Sequence, residues 1–409
     1  MVDTGKVKAE NYRMLAEQNS TQIDTTLIKK FVEKGMKASS NNEVTVIKSG
    51  KEKFCDLFEE VSKAKHHIHL EYFNFRNDSI SNGLFELLEE KARQGVEVRA
   101  IFDAFGNMSN NKPIRNKKLK ELNSKGIQIA KFDPLKFPYI NHALHRDHRK
   151  IVVIDGKVGY TGGMNIANYY IYGTKKIGKW RDTHLKIRGE AVNILQEIFL
   201  DMWKRTTKEE VKGDEYFPKH DTLDYNNKIT LAIADRVPRK TNAIIRDGYE
   251  LAIDNARDSL SIVNPYFVPT NRIFDSIKRA IDRGVNVSIM ISADADIPFT
   301  PDAALYKLNK LMKRGANVYI YKGGFHHSKI MMVDGNYCTV GTANLNSRSL
   351  RYDFETNVFI FDKEITNELQ TTFNTDVANC IKMTQQFWQD RTCWKKFVSW
   401  FANIFTPFL

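Results

Sequence analysis

His148-Arg149-Lys150-Ile151-Val152-Val153-Ile154-Asp155 decides the fold, because the arrangement returns as His327-Ser328-Lys329-Ile330-Met331-Met332-Val333-Asp334. Each copy reads His-x-Lys, four residues, Asp. The apolar run between Lys and Asp has the character of a buried strand, and a period of two places His and Lys on one face of it. One imidazole and one ammonium therefore point together. Two such units face to face offer two imidazoles for nucleophilic and acid/base work and two fixed cations for an oxyanion, which is what a phosphodiester demands.

The duplication reaches well beyond the motif. Asp155-Gly156 to Asn165 aligns without gaps on Asp334-Gly335 to Asn344, at the offset of 179 that relates His148 to His327. Upstream, Gly95-Val96 answers Gly284-Val285 and Gly126-Ile127 answers Gly315-Ala316, both at offset 189. The drop from 189 to 179 leaves ten extra residues in the first half, within 132–142, a loop by its prolines.

Strand and helix alternate on both sides of the duplication. Strands are expected at Val44–Ile47, Ile68–Phe73 and Val96–Phe102, with helices over Phe54–Ala64 and over Leu84–Gln94, the latter stopped by Gly95. The second half restarts at Ile229–Ile233 and repeats the scheme through Ile291. This predicts an α/β fold of two pseudo-twofold-related halves, each a mixed sheet flanked by helices, with one shared active site. The expected units are a basic amphipathic lead-in over 1–40, halves at 41–220 and 221–387 joined by a charged linker near 208–228, and an aromatic helix over 388–409. The lead-in, with Leu27, Ile28 and Phe31, suits either a membrane contact or packing on the first half.

These residues resemble the phospholipase D superfamily and, within it, the bacterial cardiolipin synthases. The likeness rests on the paired motifs together with Ile68-His69-Leu70-Glu71-Tyr72-Phe73, His145-Arg146-Asp147, Asn264-Pro265-Tyr266-Phe267-Val268-Pro269 and Ser347-Arg348-Ser349, and covers roughly residues 40 to 409. It implies a phosphatidyltransferase that joins two phosphatidylglycerol molecules into cardiolipin and glycerol through a phosphatidyl-histidine. Hydrolysis of phospholipids is the alternative, and a nuclease of the same superfamily a further one. A dead scaffold would have lost motif residues, and both motifs are intact.

A phosphodiester is anionic and repels nucleophiles, so the site must neutralise nonbridging oxygens while offering a neutral imidazole nitrogen. Lys150 and Lys329 supply the charge, Asn165 and Asn344 hydrogen bonds to the phosphate, and no metal or cofactor is called for. Each imidazole that works through one nitrogen must be held through the other. By resemblance the holders lie downstream of the motifs, at Asp182 and Glu355, 34 and 28 residues past their histidines. Family precedent makes His148 the nucleophile and His327 the acid/base, a choice that sequence symmetry leaves open. Asp155 and Asp334 complete the catalytic motif, although their place at the end of an apolar strand suits bracing the fold through a buried ion pair or turn contacts. His145 and His326 are expected to be structural or to line the site; His66, His67 and His69 to be strand and surface residues; Glu71 is a further polar candidate. Two departures from the family stand out: Asp353 replaces a common Asn two residues before the Glu, an extra carboxylate that could shift headgroup choice, and Gly162-Gly163 faces Gly341-Thr342 in the repeat.

With 409 residues the chain can bury two domain-sized cores, and a formal charge of +13 with pI near 9.3 calls for an anionic partner. Phosphatidylglycerol and a membrane surface are that partner; nucleic acid is not expected. Four cysteines without C-x-x-C spacing or clustered histidines argue against a zinc site or a disulfide framework and read as reduced, mostly packed thiols. No run approaches the roughly 18–20 apolar residues of a spanning helix, whereas the family usually carries such helices ahead of its catalytic part. Either a natural short form or their removal accounts for this, and the expected location is peripheral, on the cytoplasmic face of the cell membrane. At the C-terminus Trp394, Phe397 and Phe401 share a helical face, with Trp400 beside them and Lys395 and Lys396 flanking. Such a stripe suits a membrane interface or a core contact. Thr406-Pro407-Phe408-Leu409 resembles the family's ending, so the chain is expected to stop there.

Overall fold

Both motif strands are apolar throughout because both of their faces are covered. The computed structural model describes residues 25–134, 144–220, 228–241, 243–293 and 300–404; the extra loop expected at 132–142 falls largely outside them. The elements that position the site are, in chain order, α1 (Thr25–Glu33), β1 (Lys37–Ser39), β2 (Asn42–Ile47), α2 (Gly50–Lys63), β3 (His67–Tyr72), α3 (Ser79–Arg93), β4 (Glu97–Asp103), α4 (Ala104–Ser109), β5 (Ile127–Phe132), β6 (Lys150–Ile154), β7 (Val158–Gly162), α5 (Tyr169–Tyr172), β8 (Trp180–Arg181), β9 (His184–Gly189) and α6 (Ala191–Thr207). The second half continues with β10 (Thr230–Arg236), α7 (Ile244–Asn255), β11 (Ser259–Val263), α8 (Asn271–Asp282), β12 (Asn286–Ser292), α9 (Thr300–Met312), β13 (Asn317–Tyr321), β14 (Phe325–His326), β15 (Ile330–Val333), β16 (Tyr337–Gly341), β17 (Glu355–Phe361), α10 (Lys363–Val377), β18 (Cys380–Lys382) and α11 (Cys393–Ile404).

Two mixed sheets result, ordered β2-β9-β7-β6-β3-β4-β5 and β1-β10-β17-β16-β15-β11-β12-β13-β18. Alternation sorts the motif strands. Val152 and Ile154 face a core under α2 and α3, while Ile151 and Val153 face the other half. Met331 and Val333 likewise face the core under α7, α8 and α9, and Ile330 and Met332 the interface. The interface core gathers Leu185, Ile187, Val340 and Val358, with Leu195 of α6 and Leu369 of α10.

Local signals stop the elements where the pattern predicts. Ser49 caps α2 by accepting from Glu52 N at 3.2 Å, and the Glu52 carboxylate returns to Lys48 N at 2.9 Å, a reciprocal cap that satisfies two orphan donors. Asp78 caps α3, and Gly95 at φ +88° turns the chain into β4.

Two expectations need correcting. The lead-in helix α1 packs on the second half rather than the first: Leu27, Ile28 and Phe31 join Tyr249 and Phe359, and β1 pairs with β10. Its apolar stripe is spent on that core. His67 and His69 are not surface residues but fully buried. Gln196 of α6 bridges them, accepting from His67 Nε2 at 3.0 Å and donating to His69 Nδ1 at 2.9 Å. From the charged segment after α6, Tyr216 is buried against that histidine row and donates to Glu97.

Candidate active site

The motif residues sit where the parallel strands end. Tyr72 at the end of β3 pairs with Lys150 at the start of β6, and Val263 at the end of β11 with Ile330 at the start of β15. Each motif histidine lies just before its strand, in a short segment that pairs with the other half. His148 N donates to Phe354 O at 3.0 Å, and Phe354 N to Arg146 O at 2.8 Å. In the mirror arrangement β14 pairs with β8, and His327 N donates to Arg181 O at 2.7 Å.

That exchange crosses the holders over. His148 Nδ1 lies 3.0 and 3.1 Å from the two oxygens of Glu355, and His327 Nδ1 lies 2.7 Å from Asp182 Oδ2. Each histidine is held by the other half's carboxylate, not by the one downstream in its own half. The residue after each pairing partner, Phe354 or Arg181, is the carboxylate itself. Lys150 Nζ and Lys329 Nζ donate to His148 O and His327 O at 2.6 and 2.5 Å, which fixes each lysine beside its histidine.

The electrostatics fit a neutral imidazole beside an ionised carboxylate. Burial pushes His148 down to about 4, with Glu355 opposing. Burial alone would raise both carboxyls; instead His148 holds Glu355, and His327 with Lys329 holds Asp182, below the ordinary carboxylate value. With Nδ1–H donating to the carboxylate, Nε2 keeps a lone pair. Burial pushes Lys150 down to about 7, Glu355 opposing and Lys329 assisting. An anion bound beside it would restore its charge.

The two holders are built differently. Thr342 Oγ1 donates to Glu355 Oε2 at 2.5 Å. Its counterpart Gly163 has no room for a side chain, since a Cβ there would overlap Asp182 Oδ1. Asp182 is steadied by Thr183 N at 2.8 Å. The Gly/Thr difference between the repeats thus serves the holders.

Asp155 and Asp334 do not join the site. Both close the hairpin at the far end of the motif strand with φ near +53° and +54°, and each accepts three backbone N–H groups, from Lys65, His66 and His67 or from Arg257, Asp258 and Ser259. Of the two bracing modes expected, the turn contact is present, and among the described residues neither carboxylate has an ion pair. Asn165 and Asn344 are buried, and their carboxamide oxygens have no hydrogen-bond partner among the described residues. His326 binds Asp376 at 3.2 Å and His145 accompanies Tyr352 O at 2.9 Å, both structural contacts. Glu71 lies inside the fold, 3.4 Å from Arg149.

Lys53 carries no motif that would single it out in the sequence. It is fully buried, donates to Met164 O at 2.8 Å and Asn165 O at 3.3 Å, and so ties the turn that carries Gly163 and Asn165. Its position three and four residues from Gly50 and Leu57 on the buried face of α2 was the available signal.

Asp353 is buried, accepting from Arg348 Nε at 3.1 Å and Arg146 N at 3.2 Å. Burial pushes its carboxyl up to about 7, Arg348 opposing. A raised folded value means that the stability it contributes is complete below the ordinary 3.8 and is lost as pH rises through about 7. Asp353→Asn is therefore expected to gain stability relative to wild type between pH 5 and pH 8 in urea unfolding. A pH-independent difference would show the carboxyl to be ionised throughout.

A duplicated α/β fold whose halves each bring a histidine and a lysine to one site, where Lys329 acts on both His148 and Lys150, defines a phospholipase D-like enzyme of phosphodiesters. The chain belongs to the cardiolipin synthase family: the family model described as "Cardiolipin synthase, PLD-like domain" matches residues 57–203 and 250–377. It is a phosphatidyltransferase by that membership. Among relatives, cardiolipin synthase 2 of Staphylococcus epidermidis is 37% identical over 374 residues, 91% of this chain and 75% of that protein. The cardiolipin synthase of Oceanobacillus iheyensis is 35% identical over 371 residues, 91% of this chain and 76% of that one. In fold, the phosphatidylserine synthase of Haemophilus influenzae Rd KW20 superposes with a TM-score of 0.72 over 93% of this chain and 99% of that one, at 14% identity.

Proposed function

We propose that the chain converts two phosphatidylglycerol molecules into cardiolipin and glycerol. The observation that carries this is the pair of crossed histidine–carboxylate contacts, each with its lysine, side by side at one site. His148 Nε2 attacks the phosphorus of the first lipid. The bond from phosphorus to the glycerol headgroup breaks, and His327 Nε2–H protonates the departing oxygen. His327 then takes the proton of a hydroxyl on the second lipid's headgroup, that oxygen attacks the same phosphorus, and the phosphorus–nitrogen bond breaks. Lys150, Lys329 and the carboxamides of Asn165 and Asn344 attend the nonbridging oxygens. Each such donor is worth on the order of 3 kcal/mol, and general acid work by His327 roughly 10²–10⁴-fold.

Transfer and hydrolysis share the first step and differ in what reaches the phosphorus next, a lipid hydroxyl or water. Incubation of the purified chain with phosphatidylglycerol vesicles in excess EDTA, with product identification, tests the reading. Cardiolipin is expected. Phosphatidic acid would make the chain a hydrolase, and inactivity towards lipid with cleavage of DNA would sink the lipid reading. Activity abolished by EDTA and restored by one divalent ion would contradict the lysine-based site. We further place the enzyme at the cytoplasmic face of the cell membrane, where its anionic substrate resides; among the described residues no helix is long and apolar enough to cross a membrane.

A further inference from the structure

Large apolar side chains left in water cost free energy, and when they cluster they mark a surface that something covers. Among the described residues five such side chains lie on the 12-residue helix α11: Trp394, Phe397, Trp400, Phe401 and Ile404, each 47–71% exposed. The helix does not use this stripe to pack. It turns Ser399 and Ala402 inward onto the second half, and the aromatic face stays outside with Trp394, Phe397 and Phe401 stacked in a row. A helix that merely capped the core would bury the large residues and expose the small ones.

Its place in the fold gives the stripe a direction. Ser399 Oγ donates to Asp302 at 3.2 Å, and Arg391 pairs with the same carboxylate at 2.8 Å. Asp302 is in the first turn of α9, and α9 follows the C-terminal end of β12, the end at which His327 and Lys329 stand. Among the described residues the other exposed large hydrophobics are Met108, Leu144 and Tyr172. Met108 lies in α4, directly after the C-terminal end of β4; Leu144 lies four residues before His148; Tyr172 lies in α5, beyond the C-terminal end of β7. Those strand ends flank Lys150. Both halves thus leave their large apolar side chains at the active-site end.

We infer that the aromatic face of α11, with Met108, Leu144 and Tyr172, is a membrane-docking surface that seats the mouth of the active site on an anionic phospholipid bilayer. Aromatic rings with flanking lysines suit the headgroup boundary, and Lys395 is exposed beside the stripe on a chain of net charge +13. A second copy of the chain fits less well, because a protein seated on this end would cover the opening through which lipid enters. The inference rests on the phospholipid reading above.

The test compares wild type with Trp394→Ser/Phe397→Ser/Phe401→Ser and, independently, with Met108→Ser/Tyr172→Ser. Binding is followed by sedimentation with equimolar phosphatidylglycerol/phosphatidylcholine vesicles. Turnover is measured on those vesicles and on short-chain phosphatidylglycerol kept below its micellar concentration. The triple variant is expected to lose on the order of tenfold or more in vesicle affinity, with vesicle turnover falling in parallel and turnover of the monomeric lipid within about twofold of wild type. The rim pair is expected to move in the same direction. Vesicle binding unchanged in both variants overturns the inference, as does a wild-type dimer that the triple variant turns into monomer without change in vesicle binding. Wild type that binds vesicles yet is inactive on monomeric and vesicle lipid would instead sink the phospholipid reading and leave the docking surface standing.

Discussion

Glu355→Gln is expected to prevent formation of the covalent intermediate, whereas Asp182→Asn is expected to let it form and then persist. The difference follows from the crossing of the holders. Glu355 belongs to the second half but binds His148 through both oxygens, and Asp182 belongs to the first half but binds His327. A carboxylate on Nδ1 keeps the proton there and the lone pair on Nε2. A carboxamide can donate to Nδ1 and so stabilise the tautomer whose Nε2 carries the proton and cannot attack. Loss of the correct tautomer costs on the order of 10²–10⁴-fold. With a p-nitrophenyl phosphodiester, whose leaving group needs no general acid, Asp182→Asn should give a burst of p-nitrophenolate and a labelled protein by intact mass, and Glu355→Gln neither. Were each histidine served by the carboxylate of its own half, the two results would be interchanged.

Much of this was legible in the residues. Alignment at an offset of 179 around the motifs and 189 upstream of them located two equivalent halves, and the runs Ile151–Ile154 and Ile330–Val333 read as buried strands because both of their faces meet apolar neighbours. The crossing was not legible. It depends on pairing 146–148 with 352–354 and 325–327 with 179–181, segments too short for any periodicity and more than a hundred residues apart in the chain. Asp155 and Asp334 were hidden for a different reason: a carboxylate in a repeated motif looks chemical, and only the backbone shows it collecting the amides of a neighbouring strand entry. His67 and His69 read as polar surface because their partner Gln196 comes from a helix over 120 residues later. The stripe Leu27-Ile28-Phe31 told which face of α1 is buried but carried no information on which of two similar sheets would receive it. At α11 the stripe was visible and its direction was not, because what decided it was the small pair Ser399 and Ala402.

The two histidines, equivalent by duplication, are expected to fail in different ways. His148 is the nucleophile in the mechanism proposed above, and its surroundings suit that role. Burial holds it down at about 4, so the ring is neutral at working pH, and Glu355 orients it. His148→Ala then cannot form the phosphatidyl-enzyme with any substrate. His327→Ala removes the proton donor for departing glycerol and the base for the incoming hydroxyl, so turnover of phosphatidylglycerol is also lost. An activated phosphodiester bypasses the first of these needs and not the second. His148 in that variant should attack, release p-nitrophenolate once and stop, because nothing deprotonates the acceptor. Rapid quenching without acid, which would hydrolyse the phosphorus–nitrogen bond, followed by intact-mass measurement, reads the outcome directly. Label on His327→Ala alone supports the assignment. Label on His148→Ala alone reverses the roles and makes Asp182 the holder of the nucleophile, and label on neither removes the support for a covalent mechanism.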